Sequence, residues 1–128
     1  MRRDSRITAL CLIFERFFLK EPFDDELLEE QKDKDKAFTN ELFNAYTLHR
    51  EDIEAIIEKY LVGYEKDRVY KIDLAVLSLA LVEIIYLKTP APIATNEAVE
   101  IAKAYSTENS AKFINGILSS IIKGELKW

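Results

Sequence analysis

The chain has 128 residues with 18 Lys and Arg against 23 Asp and Glu, a net charge of -5, and is 48% hydrophobic and 32% charged. That is enough apolar material for the core of one domain and excludes intrinsic disorder, while three glycines and three prolines are too few for the many tight turns of a sandwich or barrel. A single cysteine (Cys11) and a single histidine (His49) exclude an internal disulfide framework and an ordinary zinc site, so the expected compartment is the reducing cytoplasm.

Apolar residues recur at helical spacing almost throughout. Ile7, Leu10, Cys11, Phe14, Phe17 and Phe18 give one stripe on a helix over about residues 4–19, with Cys11 read as a buried structural thiol. Pro22 stops that helix, and Asp24-Asp25-Glu26 suits the first turn of a short second one. The alternating Lys/Asp run at 32–36 reads as a solvated loop. Phe38, Leu42, Phe43 and Tyr46 predict a helix over 36–47. His49-Arg50-Glu51-Asp52 opens another, with Ile53, Ile56, Ile57, Tyr60 and Leu61 on one side and Gly63 placed for its C-terminal cap.

After a charged link at 64–71, residues 72–87 are apolar nearly all round and predict a central helix. Pro90 and Pro92 end it, and Ala94-Thr95-Asn96-Glu97 starts the next helix. Ser106 to Ser110 is a capping cluster before a last helix carrying Phe113, Ile114, Ile117, Leu118 and Ile121. The expected fold is all-α, a single domain over 1–128 of about seven helices in two packed bundles that share the 72–87 helix. The run from Ile72 to Leu87 is shorter than the roughly 20 residues a membrane span needs and holds Asp73 and Glu83, so no membrane association is expected. Glu15 and Arg16 break the N-terminal apolar stretch, which argues against a signal peptide.

Glycines at 63, 116 and 124 cannot form a phosphate loop, and any His-based nucleophile would depend on His49 in a charged stretch. Neither enzyme activity nor a cofactor is expected. Glu83 sits among Leu81, Val82, Ile84 and Ile85, where an unpaired carboxylate is costly, so it should have a partner. Leucine at 83 is expected to keep the fold and alanine to weaken it by opening a cavity. Asp73 lies near a helix start, where a carboxylate is favourable and partly exposed. Residues 1–20 carry five positive and two negative charges, the only local excess of positive charge. Arg2, Arg3 and Arg6 therefore form a candidate phosphate-binding patch, the alternative being a frayed and idle chain start.

The segments Thr95-Asn96-Glu97-Ala98-Val99-Glu100-Ile101-Ala102-Lys103, Ser106-Thr107-Glu108-Asn109-Ser110 and Lys112-Phe113-Ile114-Asn115-Gly116-Ile117-Leu118 resemble the closing pattern of the NusB family of transcription antitermination factors. Ile72 to Glu83 and the opening from Arg2 to Phe14 resemble the same family. The resemblance implies a non-catalytic helical protein that pairs with NusE, a small-subunit ribosomal protein. Together the two bind the boxA element of nascent RNA and help RNA polymerase read through terminators; homodimers also occur in the family. By resemblance Arg2, Arg3, Arg6, Asn109, Lys112 and Phe113 face RNA, and Phe14 and Asp73 face NusE. Charge reversal at Asp73 is then expected to break pairing without unfolding. Asp4 departs from the pattern within the arginine cluster. Asn109 stands where aspartate is usual, which removes a carboxylate beside RNA and favours binding.

Two other functions compete with this one. A helical protein–protein module without RNA binding suits the acidic charge and Asp4. The third, a piece of an RNA methyltransferase, would need a catalytic domain for which this chain has no length. For Phe113, stacking on an unpaired base and packing in the core both fit the sequence.

Overall fold

The computed structural model describes residues 2–17, 36–61, 63–64 and 69–126. The short helix expected after Pro22 and the Lys/Asp loop lie outside the described residues. Within them the chain is helical with no strand: α1 (Arg2–Arg16), α2 (Lys36–Tyr60), α3 (Lys71–Leu81) continued by a π-helical turn (Val82–Tyr86), α4 (Ala91–Tyr105) and α5 (Glu108–Glu125). The all-α expectation holds, with five helices among the described residues rather than about seven. The element α2 is itself two helices joined across a kink: the backbone is non-helical at His49 (φ -111°, ψ 17°), between the predicted helices 36–47 and 49–61. There the His49 ring stacks flat on Tyr86, 3.7 Å between centroids.

The helix α3 is central, as its sequence requires. Every residue from Ala75 to Leu81 is buried, so no face is left for solvent. On one side it packs with α1 and α2, on the other with α4 and α5. One continuous core runs through both groups, from Leu12 and Ile13 through Leu42 and Leu77 to Ile114 and Leu118.

The buried face of α1 is turned from the predicted stripe. Ser5, Ala9 and Leu12 with Arg6, Leu10 and Ile13 go inside, whereas Ile7, Phe14 and Phe17 are half-buried and Cys11 is exposed. Small residues at 5 and 9 let α1 approach α2 closely, where the Thr39 hydroxyl donates to the Ser5 carbonyl at 3.4 Å. Cys11 is therefore no core thiol. Partial desolvation, helped by the charge of Glu15, nonetheless pushes its pKa up.

The two prolines after α3 do more than stop it. Pro90 is the N-cap of α4 and Pro92 lies in its first turn, so α4 begins at Ala91, three residues before the predicted start. Proline suits a first helical turn because its missing N–H would be unpaired there anyway. Thr107 caps α5, its hydroxyl accepting the Ser110 N–H at 2.9 Å, as the Ser106–Ser110 cluster suggests. Between α3 and α4, Lys88 takes φ +60°, a left-handed conformation that a side chain disfavours. Lys88→Gly is expected to raise stability by up to about 1 kcal/mol in urea unfolding. A loss of stability would mean that the Lys88 side chain makes a compensating contact.

Candidate nucleic-acid interface

The arginine opening lies on the first turns of α1, against the start of α2, the π turn after α3 and the second turn of α4. It separates into a buried and an exposed part. Arg6 is only 6% exposed, and its Nε and Nη2 both donate to the Glu83 carboxylate at 2.8 Å. Desolvation works against the charged guanidinium, but the hydrogen bonds and charge of Glu83 outweigh it and hold the Arg6 pKa above its ordinary value. The partner that Glu83 requires is thus Arg6, 77 residues away. Thr89 adds to the site, donating from its hydroxyl to Glu83 Oε1 at 3.3 Å. Arg6, expected on the surface patch, is thus buried beneath it with its Nε and Nη2 committed to Glu83.

Arg2 and Arg3 are exposed. The Arg2 guanidinium lies 4.3 Å from the centroid of the buried Phe38 ring, and the Arg6 guanidinium lies 5.5 Å from the same centroid. Arg3 donates from Nε and Nη2 to Glu97 at 2.9 and 3.1 Å. The hydrogen bond from Arg3 holds the Glu97 carboxyl below the usual carboxylate range, against some desolvation and with help from the charges of Arg3 and Arg6. Sequence reasoning missed Glu97 and Phe38 as parts of this site. For Arg6 there was a signal: it falls three or four residues before Ala9 and Leu10, on the face that turns inward.

Asn109, Lys112 and Phe113 all sit on the first turns of α5 but face two different hollows. Asn109 and Phe113 line a depression of about 350 Å³ with Asp73, Tyr64 and Tyr70. Phe113 is half-buried against the core and meets the Tyr64 ring edge-on, 5.1 Å between centroids. Of the two roles open to it in the sequence, core packing and base stacking, the packing is present. Lys112 is exposed along a groove of about 790 Å³ between α4 and α5, with Asn96, Lys103 and Asn115. Glu97, which holds Arg3, lies eight residues before the end of α4 at Tyr105. The arginine opening and the start of α5 are thus separated by about 12 Å of helix, with that groove beside it.

The two remaining predicted residues also fall apart. Phe14 is half-buried on α1. Asp73, expected to be partly exposed, is only 3% exposed, and its Oδ1 has no hydrogen-bond partner among the described residues. Its place in the first turn of α3 is as expected, with its N–H donating to the Tyr70 carbonyl at 3.0 Å. No group of three or more His, Cys, Asp or Glu suited to a metal ion exists among the described residues, and no helix among them is long and apolar enough to cross a membrane.

Known proteins resemble this chain along nearly its whole length. The model of the NusB family matches residues 3–123. The transcription antitermination protein NusB of Clostridium novyi is 37% identical over 131 aligned residues, covering 95% of this chain and 98% of that relative. Its counterpart from Finegoldia magna is 40% identical over 129, covering 95% and 93%. Among solved structures, NusB of T. maritima superposes with a TM-score of 0.86 at 33% identity, covering 97% of this chain and 92% of that one. A structure of the antitermination factors NusB and NusE in complex with dsRNA superposes with a TM-score of 0.84 at 31% identity, covering 95% and 96%. With Arg3, Arg6 and the closing segment from Thr95 to Leu118 all within the residues that the family model matches, the chain belongs to the NusB family.

Proposed function

We propose that this chain is a non-catalytic, cytoplasmic transcription antitermination factor that pairs with NusE, binds boxA RNA and acts within the RNA polymerase antitermination complex. The observation that carries the reading is its whole-length likeness to NusB in a structure that also holds NusE and dsRNA. The chain works as a single RNA-binding domain. Arg2 and Arg3 contact phosphates, Arg6 braces them, Lys112 contacts RNA from the groove along α4, and Asn109 and Phe113 do so from the depression they line. Phe14 and Asp73 face NusE. Because a chain of net charge -5 gains no long-range attraction for RNA, binding depends on these local contacts and on the partner.

The test measures binding of boxA RNA and of a scrambled control, with and without purified NusE. Tighter binding of boxA in the presence of NusE is expected, and equal binding of both RNAs would overturn sequence-specific recognition. A protein–protein module without RNA binding is favoured by the ion pairs on Arg3 and Arg6, and would pair with NusE while binding neither RNA.

The burial of Asp73 changes how its role is tested. Because Asp73 is only 3% exposed, Asp73→Arg is expected to destabilise the fold by burying a long charged side chain. Asp73→Asn keeps the volume and removes only the charge. It is expected to leave far-UV circular dichroism unchanged and to weaken NusE pairing by about 1–3 kcal/mol in calorimetry. Unchanged affinity would remove Asp73 from that interface.

A further inference from the structure

We propose that Glu97 is a positioning residue for RNA: it clamps one edge of the Arg3 guanidinium and presents the other edge to a phosphate. The inference rests on the RNA reading of the arginine opening. Four charged side chains form a series from the core to the surface. Glu83, Arg6, Glu97 and Arg3 have side-chain exposures of 2%, 7%, 18% and 49%. Arg6 gives its Nε and Nη2 to Glu83, and its Nη1 lies 3.9 Å from Glu97, the next acidic group outward. Arg3 repeats that arrangement one step further out, with Nε and Nη2 on Glu97 and no described residue bonded to Nη1. A guanidinium has five donors in a flat fork, so a carboxylate on one edge leaves a second edge able to take two phosphate oxygens. By the same alternation, the next group in the series is an anion, and an RNA phosphate has the charge and geometry to fill it.

Glu97 acts in two opposed ways on such a phosphate. Its charge repels the phosphate, because the four groups together are neutral and offer no net attraction. Its hydrogen bonds fix Arg3, a long side chain on the first turn of a helix that would otherwise lose rotamer freedom on binding. If positioning dominates, the two effects separate when Arg3 is removed, since only the repulsion then remains.

The experiment titrates the full chain, with NusE, against boxA RNA for wild type, Glu97→Gln, Arg3→Ala and the double variant, with thermal melts on each. Glu97→Gln is expected to weaken binding roughly tenfold, the loss of one charge-assisted hydrogen bond. In the Arg3→Ala background the same change is expected to leave binding equal or tighter. A Glu97→Gln protein that binds as well as or better than wild type would overturn the proposal, because Glu97 would then only compete with phosphate. Equal weakening in both backgrounds would also overturn it, since Glu97 would then act through the fold. If Arg3→Ala alone binds as wild type does, the RNA reading of Arg3 fails, and this inference with it.

Discussion

Glu83→Leu is expected to destabilise the protein by about 3–5 kcal/mol in urea unfolding, and to lower its melting temperature by roughly 10 °C or more. The cause is the partner rather than the volume. Arg6 is 6% exposed and its guanidinium cannot shed its proton, so loss of Glu83 leaves a buried charge without an anion. Alanine at 83 adds a cavity to the same loss. This reverses the expectation from sequence, in which leucine preserved the fold by filling space in an apolar helix. The double variant Glu83→Leu with Arg6→Met removes both charges together, and is expected to recover most of the stability because two packed apolar side chains can replace a buried ion pair. A Glu83→Leu protein within 1 kcal/mol of wild type would mean that Glu97, 3.9 Å from Arg6, can take over the pairing.

The second large effect is at Phe113. Phe113→Ala is expected to lose both stability and RNA affinity, because the ring is half-buried against the core while its edge-on contact with Tyr64 borders the Asn109 depression. Alanine alone therefore cannot separate the two roles. Leucine can, because it keeps most of the apolar volume, at a cost below about 1.5 kcal/mol, while removing the flat π face. If Phe113 stacks on an unpaired base, Phe113→Leu is expected to weaken boxA binding by about 1–3 kcal/mol, with a melt close to wild type. The slope of affinity against salt should stay as in wild type, since no phosphate contact is lost. RNA binding that matches wild type in the leucine variant would leave Phe113 with a packing role only.

Much of the architecture was legible in local pattern. The 72–87 segment was apolar on every face, and such a helix has to be central; the Ser106–Ser110 cluster marked a helix start that Thr107 does cap. The polar run from His49 to Asp52 marks a boundary, and two helices meet there at a kink, with the His49 ring stacked on Tyr86. Elsewhere a local signal has two meanings. Pro90 and Pro92 stop one helix and also begin α4. The arginine opening was visible as charge, but which arginine is buried depends on residues far along the chain. Glu83 announced that it needed a partner. It could not announce Arg6, because that choice is made by how α1 rotates against the π turn. Cys11 fell outside the core for the same reason: with Arg6 turned inward, the stripe shifts and Cys11 meets solvent.

The π turn from Val82 to Tyr86 also makes the chain length here part of the design. A π turn holds one more residue than the α turn it replaces, and here the Leu87 N–H reaches back five residues to the Val82 carbonyl at 3.2 Å. Deleting a single residue between Glu83 and Leu87 would let the turn relax to ordinary α geometry with the register beyond it nearly kept. Adding one would have no such outlet and would rotate everything after it by about 100°. The Thr89 N–H would then leave the Glu83 carbonyl it now meets at 2.9 Å, the Thr89 hydroxyl would leave the carboxylate, and Pro90 would no longer aim α4 so that Glu97 reaches Arg3. This stretch should tolerate the loss of one residue better than the gain of one, as a joint does whose slack is already taken up.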